Sequence, residues 1–215
     1  MKDQVVFDIE TAGVGKGKVI LSLAALRFDL EDRSGTEEFM KLVISHTNFI
    51  MGAPLTYASD PDVTKADLIL IKFPLLDSLR LGFQTDESTL NWWGKQPESN
   101  LRSNIALTPI GGIESCLSYL SKWIMESSKP CGREGIAAWA NSPRFDFEML
   151  KGYYDVLKIP FPLDFRRERD VRTIRAFFAL PGTDVVELGL LPHNPIHDCF
   201  AQALDIQKAW AMATI

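Results

Sequence analysis

The chain has 215 residues, 46% of them hydrophobic, which is enough for one sizeable core, so we expect a single domain over residues 1–215. Its three cysteines, Cys116, Cys131 and Cys199, lack the paired spacing of a zinc knuckle or a disulfide framework. No apolar run approaches the roughly 18 residues that span a bilayer, and the formal net charge is −5; we expect a cytoplasmic protein without a membrane partner.

The first third of the chain predicts a small antiparallel sheet. Residues 5–10 form an apolar run that ends in acids, and residues 19–28 form a longer β-rich run beyond a glycine-rich loop. Residues 39–43 follow a turn-like segment and are predicted as a third strand. Three prolines interrupt residues 45–87, which predicts an irregular insertion near the site, although residues 68–73 could add an edge strand.

The remainder alternates helices with strands. Residues 88–96 predict a short helix, and Thr108-Pro109 suits the N-cap and first turn of a longer one. Residues 136–140 predict a strand, residues 145–157 predict a helix, and a C-terminal helix begins near Asp198. This alternation indicates an α/β fold, with a mixed sheet of three antiparallel strands plus parallel strands flanked by helices.

Four acidic residues occur in settings that suit a metal site. Asp8 and Glu10 are two apart on a strand, so both face one side and can reach one cation. Asp146 and Asp198, each in the first turn of a helix, would complete the ligand set. Oxygen ligands select hard cations such as Mg²⁺ or Mn²⁺ and argue against zinc. Two such ions would change the net charge from −5 to −1, so acidity does not exclude a nucleic-acid partner.

His193 lies five residues before Asp198, on a loop that contains Pro192 and Pro195. Because this position is outside the helix, the imidazole could move relative to the metals. Its ordinary pKa of about 6.5 suits it to take a proton from metal-bound water. We predict His193 as the general base of a two-metal, in-line displacement.

These segments resemble the three motifs of the DEDDh exonucleases, a family of ribonuclease H-like 3′–5′ nucleases. The similarity rests on Asp8-Ile9-Glu10, residues 141–146 and residues 193–198, and it extends to residues 88–93 and 169–173. The resemblance implies a ribonuclease H-like fold and 3′–5′ exonuclease activity with two Mg²⁺ or Mn²⁺ ions. It also implies that the four acids are ligands, that the histidine is the base, and that DNA 3′ ends are the favoured substrate.

Four further side chains are candidates for binding the substrate: Thr11, Phe147, Trp92 and Arg172. Trp92 could stack on a base, and since neighbours on a helix do not share a face, at most one of Trp92 and Trp93 should meet nucleic acid. Arg172 belongs to a basic run that could bind phosphate, with a self-paired surface as the alternative. Thr11 and Phe147 adjoin the metal ligands, with a strand-end hydroxyl and a core residue as their alternatives.

Other functions stay open at this point. An exoribonuclease that trims RNA ends would use the same site, and no residue reveals a contact to the 2′-hydroxyl. A polymerase-associated binding module with a vestigial centre is a third possibility, against which the complete residue set counts. His197 and Asp198 also suggest a helical metal phosphohydrolase, but that class needs more than the three histidines present. We therefore expect His197 at the surface or beside the metal ligands.

Overall fold

The computed structural model describes residues 2–50, 66–97, 111–129 and 135–214, and the side chains of residues 45–50 are not included. Its centre is a five-stranded mixed sheet in the order β3-β2-β1-β4-β5. The strands are β1 (Gln4–Thr11), β2 (Ile20–Phe28), β3 (Leu68–Lys72), β4 (Ala137–Ala140) and β5 (Glu168–Asp170).

The pairing of β1 leaves one of its edges open at the carboxyl end. β1 runs antiparallel to β2 along its whole length, and β2 runs antiparallel to β3. On its other side β1 pairs in parallel with β4 only through Gln4, Val5 and Val6. The half of β1 that carries Asp8 and Glu10 therefore extends past β4. Three antiparallel strands plus two parallel ones confirm the predicted ribonuclease H-like α/β sheet.

Helices cover both faces of the sheet. The described helices are α1 (Arg33–Ile50), α2 (Leu75–Arg80), α3 (Glu87–Trp93), α4 (Ile113–Ser128), α5 (Pro143–Leu157), α6 (Val171–Phe177) and α7 (Pro195–Ala213). Residues from α4 and α5 pack on the face that presents Val5, Phe7 and Ile9. Residues from α1, α6 and α7 pack on the opposite face, around Val6. Because side chains alternate along a strand, Asp8 and Glu10 continue the α7 face of β1 beyond Val6.

Local sequence sets the starts of the two helices that carry acids. Pro143 occupies the first turn of α5, where its fixed φ suits a helix and its missing N–H is not needed. Pro195 does the same in α7, and the Asn194 side chain accepts a hydrogen bond from the Ile196 backbone N–H at 3.1 Å. These helix starts place Asp146 and Asp198 in first turns, as predicted.

The predicted third strand at residues 39–43 is wrong. These residues belong to α1, and Phe39 packs edge-on against Phe200 of α7, with ring centroids 5.7 Å apart. A short apolar run fits a strand or a helix equally well, and packing against α7 selects the helix. The third antiparallel strand is β3, which lies at the sheet edge as predicted.

Helices and one strand occupy most of the described parts of residues 45–87, where an irregular insertion was predicted. Pro74 is the N-cap residue of α2, so this proline begins a helix rather than breaking one. Residues 51–65 lie outside the described part of the chain. Thr108-Pro109 lies outside it too, and the long helix α4 begins at Ile113.

Two further sequence expectations concern cysteines and membranes. Cys116 and Cys199 are buried free thiols, as expected of structural cysteines, whereas Cys131 is outside the described residues. Within the described ranges, no helix has the length and apolar character required to cross a bilayer.

Candidate active site

Three carboxylates converge at the carboxyl end of β1. Asp8 and Glu10 project from one face of the strand, as their spacing predicted, and Asp198 reaches them from the first turn of α7. One oxygen from each of the three lies within 4.8 Å of the other two. This separation is compatible with shared coordination of a hard divalent cation.

Asp146 approaches β1 from the opposite side, because α5 packs on the other face of the sheet. The buried Asp146 carboxylate accepts a hydrogen bond from the Ile9 backbone N–H, at the edge of β1 that β4 leaves open. Its Oδ2 has no hydrogen-bond partner among the described residues. A buried carboxylate oxygen without a donor is costly, and a cation would satisfy it.

Burial raises the pKa of all four acids, and repulsion from neighbouring site acids adds to it for Asp8 and Glu10. Burial is the largest cause in each case. It raises the pKa of Glu10 to about 8 and those of Asp146 and Asp198 to about 7. The pKa of Asp8 rises well above its ordinary value, with the charges of Asp198, Glu10 and Asp146 adding to burial. Such acids hold protons that a bound cation would displace.

Lys72 is a site residue that the sequence reasoning missed. In the strand registers, Glu10 pairs with Ser22 and Ser22 pairs with Lys72, so the three side chains line up on one face of the sheet. Burial lowers the pKa of Lys72 to about 7, and the charge of Glu10 opposes that shift. The sequence signal that could have identified Lys72 was a lysine directly after the apolar run of residues 68–71.

Gln202 is a second residue that was missed. It follows Asp198 by one turn of α7, and its Nε2 donates a hydrogen bond to Asp8 Oδ1 at 2.8 Å. Residues four apart on a helix share a face, so the spacing from Asp198 was the available signal. Gln202 therefore connects α7 with β1 at the site.

The predicted position of His193 on a loop is confirmed. Its φ of +58° is left-handed, a conformation in which histidine is enriched among non-glycine residues. The His193 backbone N–H donates to the Asp198 carboxylate, and the imidazole packs edge-on against Trp92 with centroids 4.7 Å apart. Partial burial lowers the pKa of His193, which favours the neutral imidazole at neutral pH.

His197 does not lie at the surface, so that part of the expectation is wrong. It is buried, and its Nδ1 accepts a hydrogen bond from the Leu191 backbone N–H at 2.9 Å. This bond ties the loop that carries His193 to the start of α7. His46 lies in the part of α1 whose side chains are not described.

The two neighbouring tryptophans have different surroundings, as the helical geometry predicted. Trp93 is 3% exposed, and its Nε1 donates to the Thr11 carbonyl at 2.8 Å. Trp92 is 39% exposed and lies against His193. Trp92 is thus the tryptophan whose ring is accessible beside the site.

Thr11 and Phe147 lie where they would if they did not bind substrate: Thr11 as a hydroxyl at the end of a strand and Phe147 as a core residue. The Thr11 hydroxyl is buried and donates to the Gly13 carbonyl at 2.8 Å. Phe147 is buried in the core, edge-on to Phe7 with centroids 5.4 Å apart. In this conformation neither side chain presents an exposed surface to a nucleotide.

The arginines of residues 166–175 do not form one basic surface. Arg167 donates to the Gly135 and Ile136 carbonyls, and Arg175 pairs with the buried Asp205. The Arg172 side chain is 61% exposed and lies 3.7 Å from Asp170. The charge of Arg172 also lowers the pKa of Asp146. Arg172 therefore combines exposure with proximity to the carboxylates.

The sheet order and the acids at the end of its central strand define an α/β protein of the ribonuclease H-like type. Residues 3–210 match the family described as "3'-5' exoribonuclease Rv2179c-like domain", and the chain belongs to that family. It is also similar to the "Exodeoxyribonuclease" of Enterobacteria phage T4. The two sequences are 26% identical over an alignment of 231 residues, gaps included, which covers 95% of this chain and 87% of the phage protein. The protein is a 3′–5′ exonuclease of the DEDDh type, as predicted.

Proposed function

We propose that this protein, as a single domain, removes nucleoside 5′-monophosphates from DNA 3′ ends with two Mg²⁺ or Mn²⁺ ions. The observation that carries this proposal is the group of four carboxylates at the end of β1, all at least partly buried, three of which bring oxygens within 4.8 Å of one another. No structural purpose is served by crowding like charges in a low-dielectric interior. A cation-binding role accounts for the arrangement.

The residues present fit the proposed ions. Asp8, Glu10, Asp146 and Asp198 would hold them, and the unpartnered Asp146 Oδ2 is an oxygen in need of such a partner. An all-oxygen ligand set matches Mg²⁺ and Mn²⁺. When bound, two such ions activate water and stabilise charge on the leaving oxygen.

His193 is the proposed general base. It adjoins the acids through its backbone bond to Asp198, and its lowered pKa keeps the imidazole ready to accept a proton. The ring takes a proton from the attacking water as the terminal phosphodiester is cleaved. The contact with Trp92 holds the ring at the edge of the site.

Trp92 and Arg172 are the proposed substrate contacts. The exposed Trp92 ring beside His193 suits stacking on a terminal base, which is worth roughly 1–3 kcal/mol per base. Arg172 is exposed near Asp146 and suits a phosphate of the same strand. Together they would place a 3′ end over the carboxylates.

RNA 3′ ends are the alternative substrate. The family description names an exoribonuclease, whereas the phage relative is named an exodeoxyribonuclease. The similarity to the phage protein extends over 95% of this chain, and it supports DNA. Both polymers would meet the same carboxylates, and a protein must contact the 2′-hydroxyl to separate them.

The test is incubation of the full chain with matched DNA and RNA oligomers, labelled at the 3′ or the 5′ end, in Mg²⁺, Mn²⁺ or chelator. We expect metal-dependent shortening from the 3′ end, faster on DNA. Asp8→Asn, which keeps side-chain size but removes the charge, is the inactive control. Faster RNA shortening would select the alternative, and cleavage in chelator would contradict the metal mechanism.

A further inference from the structure

Two buried glutamines of α7 have different hydrogen-bond partners. Gln202 is 3% exposed and donates from Nε2 to Asp8 Oδ1 at 2.8 Å. Gln207 is 2% exposed, and its Nε2 lies near three acceptors: the Asp29 carbonyl, the Asp32 carbonyl and Thr36 Oγ1. In each glutamine the buried Oε1 has no hydrogen-bond partner among the described residues.

We propose that Gln202 is a positioning residue for the metal site, which fixes one oxygen of Asp8 and leaves the other to bind a cation. This inference rests on the proposed metal-dependent function. The buried amide, the 2.8 Å bond and the position one turn beyond Asp198 carry it. α7 thereby supplies one ligand of its own and orients a second ligand on β1.

The Asp8 carboxylate needs such a restraint. The terminal torsion of an aspartate is broad and roughly two-fold, so the side chain alone does not fix where its two oxygens point. A donor on a rigid helix removes that freedom. Because an ionised carboxylate only accepts hydrogen bonds, the NH₂ end of Gln202 must face it, which agrees with the observed bond.

Packing alone does not explain a glutamine at this position. Its Oε1 is buried without a donor, and methionine of similar length would fill the space without that unsatisfied group. Gln207 differs, because its three acceptors connect α7 to the segment between β2 and α1 and to the start of α1. The two glutamines therefore separate a role at the metal site from a role in the fold.

Mn²⁺ binding to the full chain, measured by titration calorimetry, tests the proposal with Gln202→Met and the matched control Gln207→Met. We expect Gln202→Met to bind Mn²⁺ about 10 to 100 times more weakly, the usual effect of losing a hydrogen-bond partner of a metal ligand. Its unfolding midpoint in chelator should be unchanged or higher. Gln207→Met should show a lower midpoint in chelator and unchanged Mn²⁺ affinity. Gln202→Asn, one methylene too short for the bond to Asp8, should resemble Gln202→Met in affinity.

Wild-type Mn²⁺ affinity in folded Gln202→Met or Gln202→Asn would overturn the inference while leaving the proposed function standing. An equal loss of affinity in Gln207→Met would also overturn it, because general loosening of α7 would then explain both. Absence of Mn²⁺ binding in the wild type is a different result, since it would overturn the proposed function itself.

Discussion

Two aspartates of α7, Asp205 and Asp198, show how the same residue type serves opposite purposes. Asp205 accepts hydrogen bonds from Arg175 Nε at 2.6 Å, from the Thr183 backbone N–H at 3.1 Å and from Thr183 Oγ1 at 2.6 Å. Asp198, seven residues earlier, instead brings an oxygen within 4.8 Å of two other carboxylates. Donors surround the first, whereas acceptors crowd the second.

The contrast indicates which acid the fold requires. Removing one partner from a buried ion pair leaves an unpaired charge and is strongly destabilising. Removing one acid from a group of buried acids relieves repulsion and costs the metal-free fold little. An acid that the fold can lose, and that it nevertheless buries among like charges, belongs to function.

Asp198→Asn should have the largest effect on activity and the smallest cost to the fold. Losing a ligand removes several kcal/mol of charge stabilisation, so we expect cleavage to fall on the order of 1,000-fold or more. The free energy of unfolding in chelator should be equal to or higher than that of wild type. Oligomer shortening and urea unfolding measure the two quantities. A strongly destabilised but active Asp198→Asn would reverse the comparison.

Asp205→Asn should behave in the opposite way. It leaves the Arg175 guanidinium without its carboxylate, and breaking a buried pair of this kind lowers the free energy of unfolding by about 3–5 kcal/mol. The side chain of Arg175 is 21% exposed, so we expect the lower end of that range. Urea unfolding in chelator measures the change. A wild-type unfolding curve would show that the pair does not hold α6 and α7 together.

The sequence predicted the acids of the site because each depends on local geometry. Asp8 and Glu10 share a face because strand side chains alternate. Asp146 and Asp198 lie in first helical turns that proline marks. Lys72 and Gln202 depend instead on strand register and on the packing of α7 over β1. Such contacts join distant parts of the chain, and periodicity within one element cannot reveal them.

The fold shows the same limit. The strands at residues 5–10 and 19–28 were predictable from apolar runs. Residues 68–73 were predicted as a possible edge strand, and β3 lies there. Residues 39–43 were predicted as a strand because five residues are too few to separate a period of 2 from one of 3.6. The arginines of residues 166–175 divide between the core and the surface, and adjacency in sequence does not assign those directions.

The metal-free protein should lose stability as pH rises, because the acids of the site have folded pKa values above their unfolded values near 4. With the pKa of Glu10 at about 8 and those of Asp146 and Asp198 at about 7, the folded state binds more protons than the unfolded state between about pH 4 and 7. Each extra proton lowers the free energy of unfolding by up to about 1.4 kcal/mol per pH unit. His193 and His197, whose pKa values burial lowers, act in the opposite direction near pH 6, and Lys72 does so near pH 7, but the acids outnumber these groups.

Thermal unfolding between pH 5 and pH 7, in chelator and in Mg²⁺, measures this dependence. We expect the midpoint in chelator to fall with rising pH and the gain from Mg²⁺ to grow, because the cation displaces the bound protons. Asp198→Asn should flatten the slope, whereas Asp205→Asn should leave it steep. A midpoint in chelator that rises steadily over this interval would show that the acids are ionised without metal.

The smallest effect is expected at Arg172, which shares α6 with Arg175 but is exposed. Its pair with Asp170, at 3.7 Å, is worth about 0–1 kcal/mol, so Arg172→Ala should scarcely change unfolding. If Arg172 contacts one phosphate, the slope of log affinity for single-stranded DNA against log salt should fall in magnitude by about 0.7.

Arg166→Ala is the matched control, because Arg166 is exposed and pairs with Asp164 at 3.5 Å. Binding is measured in the Asp198→Asn background to prevent cleavage. Equal slopes for both variants would show that Arg172 belongs to a surface whose charged side chains pair with one another. Only a change in slope specific to Arg172→Ala would assign Arg172 to substrate binding.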